Sequence, residues 1–350
     1  MTEARAPSSL PTPPGPAPER RRRLWRSWAF ALRTTNPPSG RIDPVTRWIV
    51  LSRAAVLPMT LTAGLFAGLL AWWNDDSASV GLWAVAVVGL LLAHVANNLM
   101  NDLFDLEVGT DSDAYPRALY APHPVLSGMI TRRRLFWAAM LVNVFDLMIM
   151  LFLFSERGWP IVAFAVSGLL LSVAYTAPPL RLKKHGLGEP TVLVVWGPLM
   201  VGGTYYAATG DIPGLIVLAS LPYALLCTSV LMGKHIDKIP WDAAAGTRTL
   251  PVILGDAAAR RLTQGMLVAF YGLVGVLVVT GTLPVLAVLC VLAFPKLAQA
   301  WRALSRPKPD SPPADFPIWP LWFAAAAFVH TRRAGGLLVL GILAGTLLDL

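Results

Sequence analysis

The chain has 350 residues, of which 55% are hydrophobic and only 14% charged, with a mean hydropathy of +0.58. A water-soluble domain of this length carries nearer ~25% charged residues, so composition excludes one and indicates an integral membrane protein of the all-α class. The net charge of +9 gathers in alternate loops, which reads as membrane topology and attraction to anionic lipid, not as nucleic-acid binding.

Residues 7–18 hold six prolines and predict a disordered start. The basic, Trp-containing run Glu19–Trp28 follows as a juxtamembrane anchor. No apolar stretch comes directly after it, so no cleaved signal peptide is expected. The domain reading is therefore a disordered, Pro-rich, basic segment at 1–47 and a transmembrane domain at 48–350. Apolar runs long enough to cross a bilayer fall at 48–73, 80–100, 135–154, 160–176, 190–208, 213–232, 261–281, 283–302 and 334–349, which predicts a polytopic bundle of about nine helices. The Trp-rich stretch 317–330, opened by Pro317 and Pro320, is too short to cross and is expected at the membrane interface. Cys227 and Cys290 fall inside apolar runs and read as buried free thiols.

Basic residues set the orientation. Nine Lys/Arg precede the first apolar run, and the bias continues through Arg117, Arg132–Arg134, Arg181, Lys183, Lys184, Lys234, Lys238 and Arg248 in every second loop. The intervening short loops carry only Arg157. This asymmetry puts the N-terminus on the cytoplasmic side of the membrane. High Ala, Arg, Trp and Pro usage hints at a GC-rich bacterial genome, and the expected location is the bacterial cytoplasmic (inner) membrane.

Two acidic segments close the second and sixth runs, on that same side. The first is Asn101-Asp-Leu-Phe-Asp-Leu-Glu-Val-Gly-Thr-Asp-Ser-Asp113, with five of the chain's 20 acids. His94, Asn98, Asn101 and Asp105 recur at i, i+4, i+7 and i+11, one stripe of a helix. A polar seam between helices would explain His94 and Asn97 equally well. Asn101, Asp102, Asp105 and Asp111 are different: crowded carboxylates raise one another's pKa or bind a cation. An all-oxygen set suits Mg²⁺. With Arg117, Arg181, Lys183, Lys184, Lys234 and Arg248 nearby, it has the makings of a diphosphate site, although topology alone could place those cations.

The second segment runs from Gly233 to Gly255 and carries Asp237 and Asp242. On an ideal helix they would stand about 140° apart, so a shared face requires Pro240 to break the helix.

In these segments the chain resembles the UbiA-type intramembrane prenyltransferases. Asn101-Asp-Leu-Phe-Asp105 is similar to that family's first aspartate-rich motif. Val-Gly-Thr-Asp111 is similar to the extension found in its dihydroxynaphthoate, or menaquinone-pathway, branch. Tyr175-Thr-Ala-Pro-Pro-Leu-Arg181, closing with Gly186-Leu-Gly-Glu189, is similar to its loop between helices four and five. Asp242-Ala-Ala-Ala-Gly246-Thr-Arg248-Thr-Leu is similar to the tail of its second motif. The resemblance implies nine helices around a central cavity and Mg²⁺-dependent transfer of an isoprenyl group from its diphosphate to an aromatic or quinone-precursor acceptor. Two Mg²⁺ would be held by Asn101, Asp105 and Asp111 with Asp237 and Asp242. Asp105, Asp237, Asp242 and Tyr175 would be catalytic, and Arg117, Arg181, Lys183, Lys234 and Arg248 would hold the diphosphate. One departure stands out: Lys238 occupies the register of the second motif's first acid, with Asp237 one residue earlier.

Other readings compete. A terpene cyclase on the same scaffold would ionise the same diphosphate without an acceptor. A cation-coupled transporter would need charge deep in several helices, where only Asp146, beside Asn143, and Arg53 stand. Asp111-Ser-Asp113 alone is weak support for a lipid-linked glycosyltransferase.

Overall fold

The structure, a computed structural model, describes residues 17–34, 36–38, 42–108, 123–314, 316 and 318–350, leaving aside the side chains of 17–23 and 105–108. Its regular structure is helical, with no strand among the described residues. This follows from the composition, because a chain in hydrocarbon must satisfy its own N–H and C=O groups, and a helix does so within one segment.

Two helices, α1 (Ala17–Thr34) and α2 (Pro44–Leu51), precede the bundle. The bundle itself comprises α3 (Leu57–Asn74), α4 (Val80–Val108), α5 (Arg132–Arg157), α6 (Trp159–Thr176), α7 (Gly188–Thr209) and α8 (Gly214–Ile236). After two short helices, α9 (Ile239–Ala244) and α10 (Leu250–Leu254), it continues with α11 (Asp256–Val279), α12 (Val285–Leu304) and α13 (Trp322–Leu348). Among the described residues eight helices, α4 to α8 and α11 to α13, are long and apolar enough to cross a membrane. The 18-residue α3 packs among them against α4, α7 and α13, matching the first of the nine apolar runs. The chain is a multi-pass membrane protein.

The interior is built from Phe66, Leu70, Tyr223, Leu226, Phe270 and Leu338, all fully or almost fully buried. By contrast, α5 and α6 turn Trp137, Phe145, Met148, Trp159 and Leu170 outward, as lipid-facing helices do. Pro198 cannot donate to the helix ladder, and α7 widens into a π-helical stretch at Val195–Gly202 around it. Arg157, the isolated cation of the far loops, donates to the carbonyls of Ala207 (3.0 Å) and Ala208 (2.7 Å) at the C-terminus of α7. It satisfies orphan acceptors there and complements the helix dipole.

Two expectations need correction. Residues 1–47 are not disordered throughout, because 17–34 form α1. Trp28 Nε1 donates to Asp43 Oδ1 (3.1 Å), and Ala31 packs with Val50 and Met129, so α1 is held against α2. Asp43 also caps α2 through the Val45 and Thr46 amides, with Pro44 in the first turn. The stretch 317–330 is likewise not a separate short segment: residues 322–330 are the first turns of the 27-residue α13. Its start is fixed by a residue far away in sequence, Asp237.

Candidate active site

A cavity of about 700 Å³ opens between α4, α5, α6, α7, α8 and α13. One arm is apolar, lined by Leu90, Ile149, Met150, Phe164 and Leu199; the other is polar. Along α4 the two arms are separated by the rise from Gly89 to Asn101, twelve residues or ~18 Å.

The polar arm begins on α4, where His94, Asn98 and Asn101 of the expected stripe all line the cavity. Asn101 Oδ1 accepts from the Thr176 hydroxyl (3.0 Å), and Asn101 Nδ2 donates to Asn97 Oδ1 (3.4 Å). Asn97 Oδ1 also accepts from Ser172 (2.6 Å). Asp102 is buried and forms an ion pair with Arg53. The structure thus gives this expected metal ligand a fixed cationic partner. His123 Nε2 lies 2.9 Å from the Asp102 carbonyl oxygen. Arg53 lines the cavity from the left-handed backbone region, at φ 52°, a conformation that costs a non-glycine residue about 1–3 kcal/mol. The sequence marks Arg53 only as a charge inside the first apolar run. The side chain of Asp105, and Asp111 and Arg117 entirely, lie outside the described residues.

The 175–189 loop forms the next wall. Tyr175, Lys183 and Lys184 line the cavity. Gly188 is required beneath them: a Cβ there would sit 3.2 Å from the Tyr175 ring and 3.3 Å from the Lys183 Cα. Glu189, fully buried, lies 2.6 Å from His235 Nδ1 and accepts from the Leu250 amide (3.4 Å). This one carboxylate ties α7, α8 and α10 together. Arg181 and Arg248 do not reach the cavity. Arg248 has an exposed side chain, and its amide donates to the Lys184 carbonyl (3.2 Å). Arg181 takes a left-handed conformation, and its buried Nε meets no acceptor among the described residues.

The second acidic corner divides by one residue. Asp237, just past α8, turns away from the cavity. Its two oxygens accept from the Phe323 (3.0 Å) and Ala324 (2.9 Å) amides at the start of α13. Gly233 permits this approach, since a Cβ there would lie 2.7 Å from the Ala324 nitrogen. Lys308 donates to the Asp237 carbonyl (2.8 Å) and sits over the Trp241 and Trp319 rings. Burial pushes the Asp237 carboxyl up to about 7, against the pull of the two amides and Lys308. The carboxylate expected on metal is therefore a helix cap. Lys238, by contrast, is 98% buried and lines the cavity beside Lys234 and His235. Asp242 is buried 3.7 Å from Lys238 Nζ and does not line the cavity. Neither Lys238 nor His235 was picked out as a site residue from sequence; their one signal was the displaced register of the acidic pair.

In the apolar arm, Asp146 and Asn143 line the wall. Asp146 packs on Gly89, and no hydrogen bond or ion pair holds its carboxyl among the described residues.

The sequence pattern of the UbiA prenyltransferase family runs through residues 59–330, more than three quarters of the chain. The chain belongs to that family. It is 30% identical over 225 residues to the 1,4-dihydroxy-2-naphthoate octaprenyltransferase of Haemophilus influenzae, covering 62% of this chain and 72% of that one. It is 25% identical over 279 residues to the 2-carboxy-1,4-naphthoquinone phytyltransferase of Synechocystis sp., covering 77% and 86%. Among solved structures, the apo UbiA homolog from Aeropyrum pernix superposes with a TM-score of 0.57 at 18% identity, over 84% of this chain and 98% of that one. The Archaeoglobus fulgidus homolog bound to GPP and Mg²⁺ gives 0.54 at 14% identity, over 83% and 99%. The two structures share the fold of this UbiA-family chain.

Proposed function

We propose that this chain is a membrane prenyltransferase that moves an isoprenyl group from a prenyl diphosphate to a naphthoate-type aromatic acceptor, working from the cytoplasmic face. The observation that carries the reading is the cavity itself. Lys183, Lys184, Lys234 and Lys238 line one arm, and an arm lined mainly by apolar side chains leads away from them. A diphosphate needs the first arm and a hydrocarbon tail needs the second. The naphthoate-type acceptor rests on the named relatives, and the cytoplasmic orientation rests on the basic loops.

The lysines hold the departing diphosphate as point charges. Breaking the allylic C–O bond leaves a carbocation, which the aromatic ring of the cavity-lining Tyr175 can stabilise. An electron-rich ring carbon of the acceptor then attacks, and the ring loses a proton. Bound Mg²⁺ would supply the charge neutralisation that makes diphosphate a good leaving group. Asn101 lines the cavity, and its amide oxygen, with Asp105 one turn further along α4 and Asp111, would make up an oxygen set. The second corner fits Mg²⁺ less well, because Asp237 is engaged elsewhere.

The test is incubation of the purified protein with Mg²⁺ and prenyl diphosphates, with and without 1,4-dihydroxy-2-naphthoate. Diphosphate release that depends on acceptor, with a prenylated naphthoate product, is expected. Release of diphosphate with a cyclised hydrocarbon and no acceptor would overturn transfer in favour of cyclisation.

A further inference from the structure

We propose that the Lys238 ammonium takes the place of one divalent cation, so that this chain binds a prenyl diphosphate with a single divalent ion, held from the first acidic corner. The inference rests on the diphosphate reading of the cavity. Three observations carry it.

The second corner has lost the means to hold a metal. Both Asp237 oxygens are taken up by the Phe323 and Ala324 amides, so ligation there would uncap α13. Asp242 does not reach the cavity. Among the described residues no three His, Cys, Asp or Glu side chains gather around one point.

A permanent cation already stands in that place. Lys238 reaches the cavity where Asp237 and Asp242 do not, and it is 98% buried. Burying an ammonium is unfavourable unless an anion accompanies it. Asp242 at 3.7 Å supplies that anion from behind, at more than the 2.7–2.9 Å of a close charge-assisted bond. A divalent ion placed beside Lys238 would meet a buried like charge.

The neighbours repeat the pattern. Lys234, four residues earlier in the last turn of α8, and Lys183 from the facing loop also line this wall. An ammonium carries three N–H donors and no acceptor, which suits it to phosphate oxygens. Sequence spacing points the same way, since Lys238 stands in the register of the motif's first acid.

The experiment counts ions without relying on turnover. The full chain in lipid nanodiscs is saturated with geranyl S-thiolodiphosphate, whose bridging sulfur makes it inert, and bound Mn²⁺ is measured by electron paramagnetic resonance. One Mn²⁺ per chain is expected, rising to two in Lys238→Asp. Lys238→Met should keep one Mn²⁺ while binding the analogue roughly 10- to 100-fold more weakly, and Lys238→Arg should restore most of that affinity. Two Mn²⁺ in the unaltered chain, or unchanged analogue affinity in Lys238→Met, would overturn the proposal while leaving the diphosphate reading intact. Failure of the unaltered chain to bind the analogue at any Mn²⁺ concentration would instead overturn the diphosphate reading and this proposal with it.

Discussion

Asp237→Ala separates two roles that one carboxylate cannot hold at once. As a cap, Asp237 satisfies the amides of Phe323 and Ala324 at 3.0 and 2.9 Å, and the residue is 1% exposed. Truncation leaves two amide donors without an acceptor in a site too closed for water to replace it. A lost helix cap costs ~0.5–2 kcal/mol, and each buried unsatisfied donor about 1–3 kcal/mol. Two stranded donors put the destabilisation at about 2–6 kcal/mol, and the smaller cap value holds it to the lower part of that range, about 2–4 kcal/mol. Asp237→Asn keeps one acceptor oxygen and should lose roughly half of that, about 1–2 kcal/mol. The assay is SDS-induced unfolding in mixed micelles, followed by tryptophan fluorescence, with Mn²⁺ binding measured in parallel on folded protein. Destabilisation with intact Mn²⁺ stoichiometry is the expected result. Stability within about 0.5 kcal/mol of the unaltered chain, together with loss of a bound ion, would refute the cap and restore Asp237 as a ligand.

The same group predicts a pH dependence. Its folded value of about 7 lies above the 3.8 of a free carboxyl, so the unfolded chain ionises first and stability from this group falls as pH rises from about 4 to 7. Asp237→Asn should flatten that slope in unfolding measured across this range, and an unchanged slope would count against it. Arg53→Ala strands the Asp102 carboxylate, which is 1% exposed, and should cost about 2–4 kcal/mol, with much of the loss recovered in Arg53→Ala/Asp102→Asn; the double-mutant cycle measures the coupling. Gly188→Ala pushes a methyl against the Tyr175 ring and the Lys183 backbone and should lower kcat more than about tenfold with the fold intact, read by product formation and unfolding together. Asp105→Ala should abolish turnover while the protein remains folded in the membrane; near-normal activity would remove Asp105 from the diphosphate site.

The helices were legible because lipid demands apolar side chains over nearly the whole surface of α5 and α6, and such runs stand out in any window. The start of α13 was not. Pro317, Pro320 and Arg332–Arg333 break its apolar pattern, and its cap, Asp237, comes from 85 residues upstream, where no local reading can see it. In the site, the α4 stripe of His94, Asn98 and Asn101 was legible because their 3.6-residue period alone assigns them one face. Arg53 escaped because its counter-ion lies across the bundle on α4.

The two acids of the second corner part company for a reason particular to helix ends. Adjacent residues on a helix point about 100° apart, so where α8 stops decides whether Asp237 or Lys238 meets the cavity. Sequence motifs record residue type, and the two acids of this corner looked sufficient on that basis. Gly233 settles the matter physically, because its missing side chain lets α13 come close enough to draw Asp237 outward. Once Asp237 is committed to that cap, the next position faces the substrate cavity, and there the chain has a lysine. Cap and cation are then one device: restoring an acid at 238 changes the charge facing the diphosphate without loosening α13, whereas removing Asp237 loosens α13 without changing that charge. The two positions should therefore behave independently in a double variant, with unfolding tracking 237 and ion count tracking 238.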